Sequence, residues 1–262
     1  MGKDQKVLFN STVFGPIHSR RLGTSLGINL SPNDGKVCSF DCLYCEAGFN
    51  AQGAGTTGFP KREKVKALLE EKLSLMKDNG ENLDVITFSG NGEPTLHPDF
   101  PEILEDVITL RNKYFPNAKV SVLTNSTRIF TPTVAQALKK ADNNILKLDS
   151  AIEDTMQLID RPNSPGFTVE KVIDNLKQFK GTGIIQTMIL RGEYEGKKID
   201  NTASDELEAL ISAYNEIKPR EIMIYSLDRS TPAEHLIKVE KPELEKIGHK
   251  IEEATGIPVI VA

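Results

Sequence analysis

Cysteine is scarce in this 262-residue chain, and the positions of the few cysteines are informative. Cys38, Cys42 and Cys45 are the only ones, and all three fall within one short stretch. An odd number of closely spaced thiols argues against a disulfide framework. Small core cysteines would not be expected to gather in one loop. The spacing therefore predicts three sulfurs converging on one small metal object, and thiolate is a soft ligand that suits zinc, Cu(I) or an iron–sulfur cluster.

Long apolar runs and an excess of positive charge are also missing. No segment approaches the roughly 20 apolar residues of a membrane span, and the first ten residues lack the apolar core of a signal peptide. Lys and Arg number 32 against 37 Asp and Glu, a net charge of −5. Such a balance gives no global attraction to nucleic acid or to anionic membranes. We expect a cytoplasmic protein without a membrane partner, in a compartment where thiols stay reduced.

A fourth cysteine, which a closed iron–sulfur cluster usually takes, is absent. A four-iron cluster on this loop would keep one iron free of protein thiolate, and an open metal position is where substrate or cofactor chemistry occurs. The alternative is a structural zinc site with His18 or His97 as the fourth ligand. Zinc sites usually place their cysteine pairs far apart on separate turns, so the spacing favours the cluster.

Apolar periodicity predicts strands and helices that alternate along the chain, and this order indicates a parallel sheet in an α/β fold. The predicted strands are residues 25–30, 84–90, 119–124, 144–150, 183–190, 221–227 and 257–261. The predicted helices are residues 61–77, 100–114, a short one after 131, 168–180, 204–217 and 242–253. Three segments are predicted to be irregular: a loop at Gly15-Pro16, a flexible segment at 50–60 and a surface excursion at 193–203.

Polar side chains and glycines gather where these predicted strands end. The cysteine loop follows the first strand, Gly90-Asn91-Gly92-Glu93 the second, and Thr124-Asn125-Ser126 the third. In α/β barrels, catalytic groups lie on the loops at the carboxyl ends of the strands. Lys147 and Asp149 share one face of the fourth strand and would pair if they pointed inward. Gln186 interrupts a strongly apolar strand and needs a polar partner there.

The cysteine loop, Cys38-x3-Cys42-x-Tyr44-Cys45, resembles that of the radical S-adenosylmethionine superfamily. Asn91-Gly92-Glu93 is similar to its Gly-Gly-Glu element, with Asn91 in place of the first glycine. The segments GPIHSRRLGTSLGIN, KVCSFDCLYCE, FSGNGEPTLHPDF, VLTNS, KLD and IYSLDR together resemble the wyosine-synthase-related group of these iron–sulfur oxidoreductases. This resemblance extends over residues 15–229, nearly the whole chain.

The resemblance implies a single domain over residues 1–262 with a partial (βα)6 TIM-like barrel, an N-terminal extension at 1–22 and a C-terminal helix and strand at 233–262. It implies a [4Fe–4S] cluster held by the three cysteines and S-adenosylmethionine on the fourth iron. One electron, from a reductant such as flavodoxin or ferredoxin, would cleave the cofactor to methionine and a 5′-deoxyadenosyl radical that takes hydrogen from a substrate. The implied cofactor-binding residues are Tyr44, Asn91, Gly92, Glu93, Thr124, Asn125, Ser126, Asp149, Gln186, Tyr225 and Leu227.

The substrate is not named by these motifs. Wyosine synthases modify a tRNA base and use a second cluster with its own cysteines, but this chain has no cysteine outside 38–45 and no basic excess. We therefore expect a small-molecule or peptide-like substrate. Three alternatives stay open: tRNA modification of the wyosine type, activation of a glycyl-radical enzyme, and a zinc module without redox chemistry. No role is assigned from the sequence to His97 or Lys147, and Arg20 and Arg21 could form an anion clamp.

Overall fold

The computed structural model of the protein describes residues 7–19 and 23–262, without the side chains of His18 and Ser19. The anion clamp expected at Arg20 and Arg21 therefore lies outside the described residues, as does the proposed zinc ligation by His18. Within the part that is described, no helix is both long and apolar enough to cross a membrane.

Strands and helices alternate through the described chain. The strands are β1 (Val13–Ser19), β2 (Gly23–Ile28), β3 (Val85–Phe88), β4 (Lys119–Thr124), β5 (Asn143–Lys147), β6 (Ile184–Met188), β7 (Leu190–Tyr194), β8 (Lys197–Asp200), β9 (Glu221–Tyr225), β10 (Leu236–Lys238) and β11 (Val259–Val261). The helices are α1 (Arg62–Asp78), α2 (Phe100–Tyr114), α3 (Pro132–Leu138), α4 (Glu153–Asp160), α5 (Val169–Leu176), α6 (Ser204–Ile217) and α7 (Lys241–Thr255). The predicted α/β class and all seven predicted strands are present, with bounds shifted by a few residues.

The main sheet has eight strands in the order β1-β2-β3-β4-β5-β6-β9-β11. All neighbours pair in parallel except β1, which runs antiparallel to β2. From β2 to β6, and on to β9 and β11, each strand of the main sheet lies beside the one before it and is reached through at least one helix, as in a barrel. The carboxyl ends of β2 to β6 and β9 therefore meet at one end of the sheet, and the loops that follow them can build one site.

The core lies between the outer face of the sheet and the helices. On β3, Ile86 and Phe88 alternate with inward residues because side chains of a strand point to opposite faces. Both are fully buried in one apolar cluster with Leu69 of α1 and Leu104 of α2. At roughly 25 cal/mol per Å² of apolar area buried, this two-layer packing supplies the main stabilisation of the scaffold.

Four segments differ in detail from their predictions. The segment with the loop signal Gly15-Pro16 belongs to β1, and the register of β1 with β2 is irregular between Phe14 and Ile17. The surface excursion expected at 193–203 is a largely exposed hairpin that includes most of β7 and β8, which pair with β10 in a second, three-stranded sheet. The segment 50–60 is anchored rather than free. The Asp34 carboxylate accepts the backbone N–H and hydroxyl of both Thr56 and Thr57. Helix 168–180 ends early, at Leu176, and continues as a 3-10 turn.

Candidate functional site

The cysteine loop is fixed on two sides by backbone hydrogen bonds. On one side, Val37 N–H donates to Asn91 O (3.1 Å) and Glu93 N–H donates to Val37 O (3.0 Å). On the other side, Leu43 N–H donates to Ile159 O at the end of α4 (3.0 Å). The loop is therefore held between the turn after β3 and the end of α4, and its three cysteines share one rigid frame.

The thiols of this loop lie in a largely water-free environment. Cys42 is buried, and Cys38 and Cys45 are partly buried free cysteines. Burial, together with the nearby charge of Glu93, raises the pKa of the Cys38 thiol to about 12. Burial also raises the pKa of Cys42 well above its usual value. A thiolate at these positions needs a cation beside it, and a coordinated metal deprotonates a thiol outright.

Lys36 places a buried positive charge inside the cysteine loop. Its side chain is only 2% exposed and lies 3.6 Å from Asp41 Oδ1. Its ammonium group donates to Gly48 O (2.7 Å), so the side chain crosses from the start of the loop to its end. Burial alone would lower the pKa of Lys36, but the three neighbouring cysteines raise it. Lys36 was not predicted as a site residue, because its only signal in the sequence is its position two residues before Cys38.

Glu93 joins the loop after β3 to the end of β4. It is buried, at 3% exposure. Its Oε1 accepts the Thr95 N–H (3.1 Å) and the Thr124 hydroxyl (2.7 Å), and its Oε2 accepts the Asn125 N–H (2.7 Å). Burial raises the pKa of the Glu93 carboxyl, and the hydrogen bonds from Asn125, Thr95 and Thr124 act against this shift. The structure thus brings together Glu93, Thr124 and Asn125, as the sequence predicted.

Asn91 and Gly92 shape the backbone between Glu93 and the cysteine loop. The Asn91 side-chain amide donates to Phe9 O (2.8 Å) and Pro32 O (2.9 Å), so it is engaged with protein backbone. A Cβ at Gly92 would stand 1.9 Å from Val37 O, which only glycine avoids. The Asn91 side chain therefore has a structural role that was not predicted from the sequence. A cofactor contact through its backbone stays a prediction, as it does for Gly92.

Asn125 and Ser126 connect β4 to two parts of the site. The Asn125 side-chain amide donates to Ser39 Oγ (2.9 Å) and lies 3.5 Å from Cys38 Sγ. The Ser126 hydroxyl donates to Lys147 O (3.1 Å) on the next strand. An N–H group aimed at a cysteine sulfur is one of the hydrogen bonds that tune an iron–sulfur cluster.

Tyr44, Lys147, Asp149 and Asp160 form a buried charged cluster beside the cysteine loop. The Lys147 ammonium contacts the Tyr44 hydroxyl and the Asp149 carboxylate and lies 2.8 Å from Asp160 Oδ1. Burial disfavours the charged lysine, but the two aspartates raise the pKa of Lys147 well above its usual value. Burial raises the pKa of Asp160 to about 8. The expected pairing of Lys147 with Asp149 is present, and a protonated Lys147 is not a free nucleophile.

The remaining predicted cofactor-binding residues fall into two places. Tyr225 and Leu227 pack in the same apolar cluster as Tyr44, close to the charged cluster. Gln186 instead lines a cavity further into the barrel, with Met223 on the neighbouring strand. The ligand contacts of all these residues stay predictions.

His97 does not complete a zinc site in this arrangement. Its Nε2 lies 2.8 Å from Pro60 O, and its Nδ1 accepts the Asp99 N–H (3.1 Å), so both ring nitrogens are used. Across the described residues, no group of three or more His, Cys, Asp or Glu side chains is arranged to hold one metal ion. A four-iron cluster binds each thiolate through a different iron and so keeps the sulfurs further apart than one ion does. One buried and two partly buried thiols, with a lysine and an amide N–H beside them, fit such a cluster.

The comparison with protein families agrees with this donor set. The Radical SAM superfamily matches residues 33–205, more than half of the chain. The chain therefore belongs to the radical SAM superfamily, whose members are enzymes that use a [4Fe–4S] cluster and S-adenosylmethionine. The cofactor prediction is confirmed at the level of the family, and so is the superfamily resemblance.

Particular relatives extend the similarity over nearly the whole chain. The protein is 30% identical over 274 residues to UPF0026 protein slr1464 of Synechocystis. The aligned region covers 94% of each of the two chains. It is 30% identical over 263 residues to a protein of Brachyspira hyodysenteriae named GTPase Obg, covering 99% of this chain but 36% of that one. Two UPF0026 proteins of Helicobacter pylori are covered over 66% of their length. The chain thus spans only part of several relatives, and the activities of those longer proteins are not carried over to it.

Solved structures share the architecture. A radical SAM methyltransferase from Sphaerobacter thermophilus aligns with a TM-score of 0.66 and 14% identity over 91% of this chain and 65% of that one. The structure of TYW1 with a lysine-pyruvate adduct bound aligns with a TM-score of 0.61 and 14% identity, over 89% and 75%. Identities this low show the fold alone. With the observed strand order, they confirm the predicted partial TIM-like barrel.

Proposed function

We propose that the protein cleaves S-adenosylmethionine reductively and takes a hydrogen atom from a small-molecule or peptide substrate. One observation carries this proposal: the cysteine loop is hydrogen-bonded directly to the Asn91-Gly92-Glu93 element, through the backbone N–H and C=O of Val37. A metal-binding loop and a nucleotide-binding loop joined in this way can present one ligand to both. The cluster and its cofactor, when bound, supply one-electron cleavage of a carbon–sulfur bond.

The chain's own residues would hold and orient these groups. Cys38, Cys42 and Cys45 would bind three irons, and Lys36 would balance part of the negative charge of the thiolates. Glu93 keeps Thr124 and Asn125 in place, so these polar groups are preorganised at the end of β4. Preorganised groups do not have to reorient when the ligand arrives, which lowers the cost of binding.

The side of the site near Tyr44 would receive the nucleoside. Tyr225 and Leu227 pack beside Tyr44. The Asp149 carboxylate is fully buried and accepts Met188 N–H (2.9 Å), so a ribose hydroxyl would reach it only if the side chains that cover it moved aside. Because Lys147 holds Asp149 from one side, the ribose would compete for or share that carboxylate. The charged cluster therefore fixes the orientation of Asp149 before the ligand binds.

A reductant of the flavodoxin or ferredoxin type would deliver the electron, and thiolate chemistry of this kind favours the cytoplasm. Nucleic acid is not the substrate that we propose. The similarity to TYW1 is one of fold, and the net charge of −5 gives no general attraction to tRNA. Activation of a glycyl-radical enzyme has no particular support in the geometry of the site.

Formation of 5′-deoxyadenosine tests the proposal. Anaerobically reconstituted protein with dithionite and S-adenosylmethionine should form it, and Cys42→Ala should lose both the bound iron and the product, because one of three thiolates is gone. Thr133→Ala, at an exposed position of α3, should behave as the unmodified protein. Full product formation by Cys42→Ala would rule out the ligand assignment.

A further inference from the structure

A cavity of about 140 Å³ lies on the concave face of the sheet, inside the partial barrel. It is lined from β1 to β6 and from β9. Its lining residues Leu123, Ile145 and Met223 each lie two positions before Asn125, Lys147 and Tyr225 on the same strand or its extension. Because residues two apart share a face, the cavity lies directly below these three strand-end residues, of which Asn125 and Tyr225 are predicted cofactor contacts.

The cavity has a formed wall on the side of β1. Phe14 pairs with Gly27 in the β1–β2 register, and a Cβ at Gly27 would come within 2.1 Å of the Phe14 ring. The aromatic ring therefore occupies the space that a side chain at Gly27 would fill, as aromatic residues do over glycines in sheets. At this position the cavity is bounded by a packed aromatic side chain.

Among the described residues, the lining of this cavity carries no ionisable side chain. Its residues are Phe14, Ile17, Ser25, Gly27, Thr87, Ser89, Leu123, Ile145, Gln186 and Met223. The hydroxyls of Ser25 and Thr87 form a hydrogen bond with each other (3.0 Å), so part of their hydrogen-bonding capacity is already used. An ionised group placed here would lose its hydration without a counter-ion, at a high cost. The chemistry therefore selects an uncharged guest.

Gln186 has hydrogen-bonding capacity to spare in this cavity. It is 9% exposed, and its only side-chain hydrogen bond to a described residue is a long one, from Nε2 to Met223 Sδ (3.5 Å). Thioether sulfur is a weak acceptor, and the amide oxygen of Gln186 can accept from two donors. Buried amides normally have partners, so a ligand that donates a hydrogen bond would complete this one.

We propose that the cavity receives an uncharged, mainly apolar group of the substrate, of about the size of a phenol ring, which donates a hydrogen bond to Gln186. A cavity of roughly 150 Å³ lined by apolar side chains holds benzene in another protein, so the size is suitable. The inference rests on the proposed function for its position beside the reacting cofactor. It adds the chemical class of the group that enters the barrel.

Phenol and benzene serve as probes, because they differ by one hydroxyl. Binding is measured by NMR titration of the anaerobically reconstituted protein. Phenol should bind more tightly than benzene. Gln186→Leu should weaken the binding of phenol by about 2- to 10-fold, which corresponds to the loss of one neutral hydrogen bond. It should leave the affinity for benzene unchanged. Leu123→Phe should exclude both probes by filling the cavity, whereas the same change at the exposed Leu75 of α1 should exclude neither.

Equal affinity of phenol for the unmodified protein and Gln186→Leu would overturn the inference, as would probe binding that survives Leu123→Phe. Circular dichroism and bound iron show whether each variant is folded and loaded. A protein that forms 5′-deoxyadenosine but binds neither probe would contradict the inference and leave the proposed function standing. A protein that binds phenol but holds no cluster would contradict the proposed function and leave the inferred binding of a phenol-sized group standing.

Discussion

Lys36 shows how much a single side chain contributes to the charge balance of the site. Three thiolates and a cluster in a buried loop concentrate negative charge, and Lys36 sets one fixed positive charge among them. At an effective dielectric constant of about 20, two unit charges about 4 Å apart interact by about 4 kcal/mol. Even a fraction of that energy would affect how firmly the cluster is held and how readily it accepts an electron.

Lys36→Met removes this charge while keeping most of the side-chain volume. We expect a cluster with a more negative midpoint potential and a lower iron content, because the reduced, more negative cluster loses its cation. An EPR-monitored redox titration and an iron assay measure both. Lys36→Arg keeps the charge, so its midpoint potential and iron content should lie closer to those of the unmodified protein. Lys64→Met, at an exposed position of α1, should change neither quantity. A potential that is the same in Lys36→Met and in the unmodified protein would contradict the assigned role.

The structure brings several of the predicted site residues together, but their partners could not be predicted from the sequence. Cys38, Glu93, Thr124 and Asn125 were identified from motifs, and the structure brings them together. Spacing could not show Asp160, which reaches Lys147 from the end of a helix that the sequence analysis did not predict. Nor could it show that the Asn91 side chain bonds the backbone of Phe9, because such contacts depend on long-range packing.

At the scale of elements, the site depends on how closely two loops approach each other. Val37 and Gly92 form a parallel bridge between the cysteine loop and the turn after β3. The short distance between the two backbones leaves no room for a side chain at Gly92. The bridge therefore couples the position of the cysteines to that of Glu93.

Gly92→Ala should separate these two loops. The Cβ would clash with Val37 O, so we expect the variant to be less thermally stable and to lose bound iron. Both effects should be larger than those of a Gly→Ala substitution at a glycine with free space around it. Gly181→Ala is the matched control: Gly181 also has a positive φ of 70°, but nothing lies within 4 Å of its Cβ. That control should cost about 1–2 kcal/mol through backbone strain alone. Equal melting temperatures and iron contents in the two variants would refute the coupling.

Strands and helices with strong periodicity were predicted well, and irregular segments were not. β1 contains Gly15-Pro16, a typical loop signal, and its register with β2 is irregular there, between Phe14 and Ile17. The strand still pairs on both sides of this point because the sheet edge offers it partners. The β7–β8 hairpin is mostly polar because its small sheet is largely exposed, so its alternation was weak. Tertiary context decided both cases, and it is not visible in a local pattern.

For the whole molecule, the partial barrel explains why motifs far apart in sequence form one site. Parallel strands place their carboxyl ends together, so loops after β2, β3, β4 and β5 meet although they span more than a hundred residues. Net charge is also a property of the whole molecule. At −5, it sets the long-range field that a polyanion would encounter.

Binding to tRNA should consequently be weak. In a filter-binding assay at physiological salt, we expect dissociation constants no tighter than about 10⁻⁶ M, the limit of non-specific binding. The reconstituted protein is the form to use, since the cluster adds to the charge. Tight binding that persists at high salt would favour the wyosine-type alternative over a small-molecule or peptide substrate.

The central claim is that three cysteines hold a four-iron cluster whose remaining iron takes S-adenosylmethionine. The most direct test is EPR spectroscopy of the anaerobically purified, dithionite-reduced protein, with and without the cofactor. The account predicts a [4Fe–4S] signal whose shape changes when S-adenosylmethionine is added, with about four irons per chain. A colourless protein with one zinc, or a cluster signal that the cofactor leaves unchanged, would contradict it.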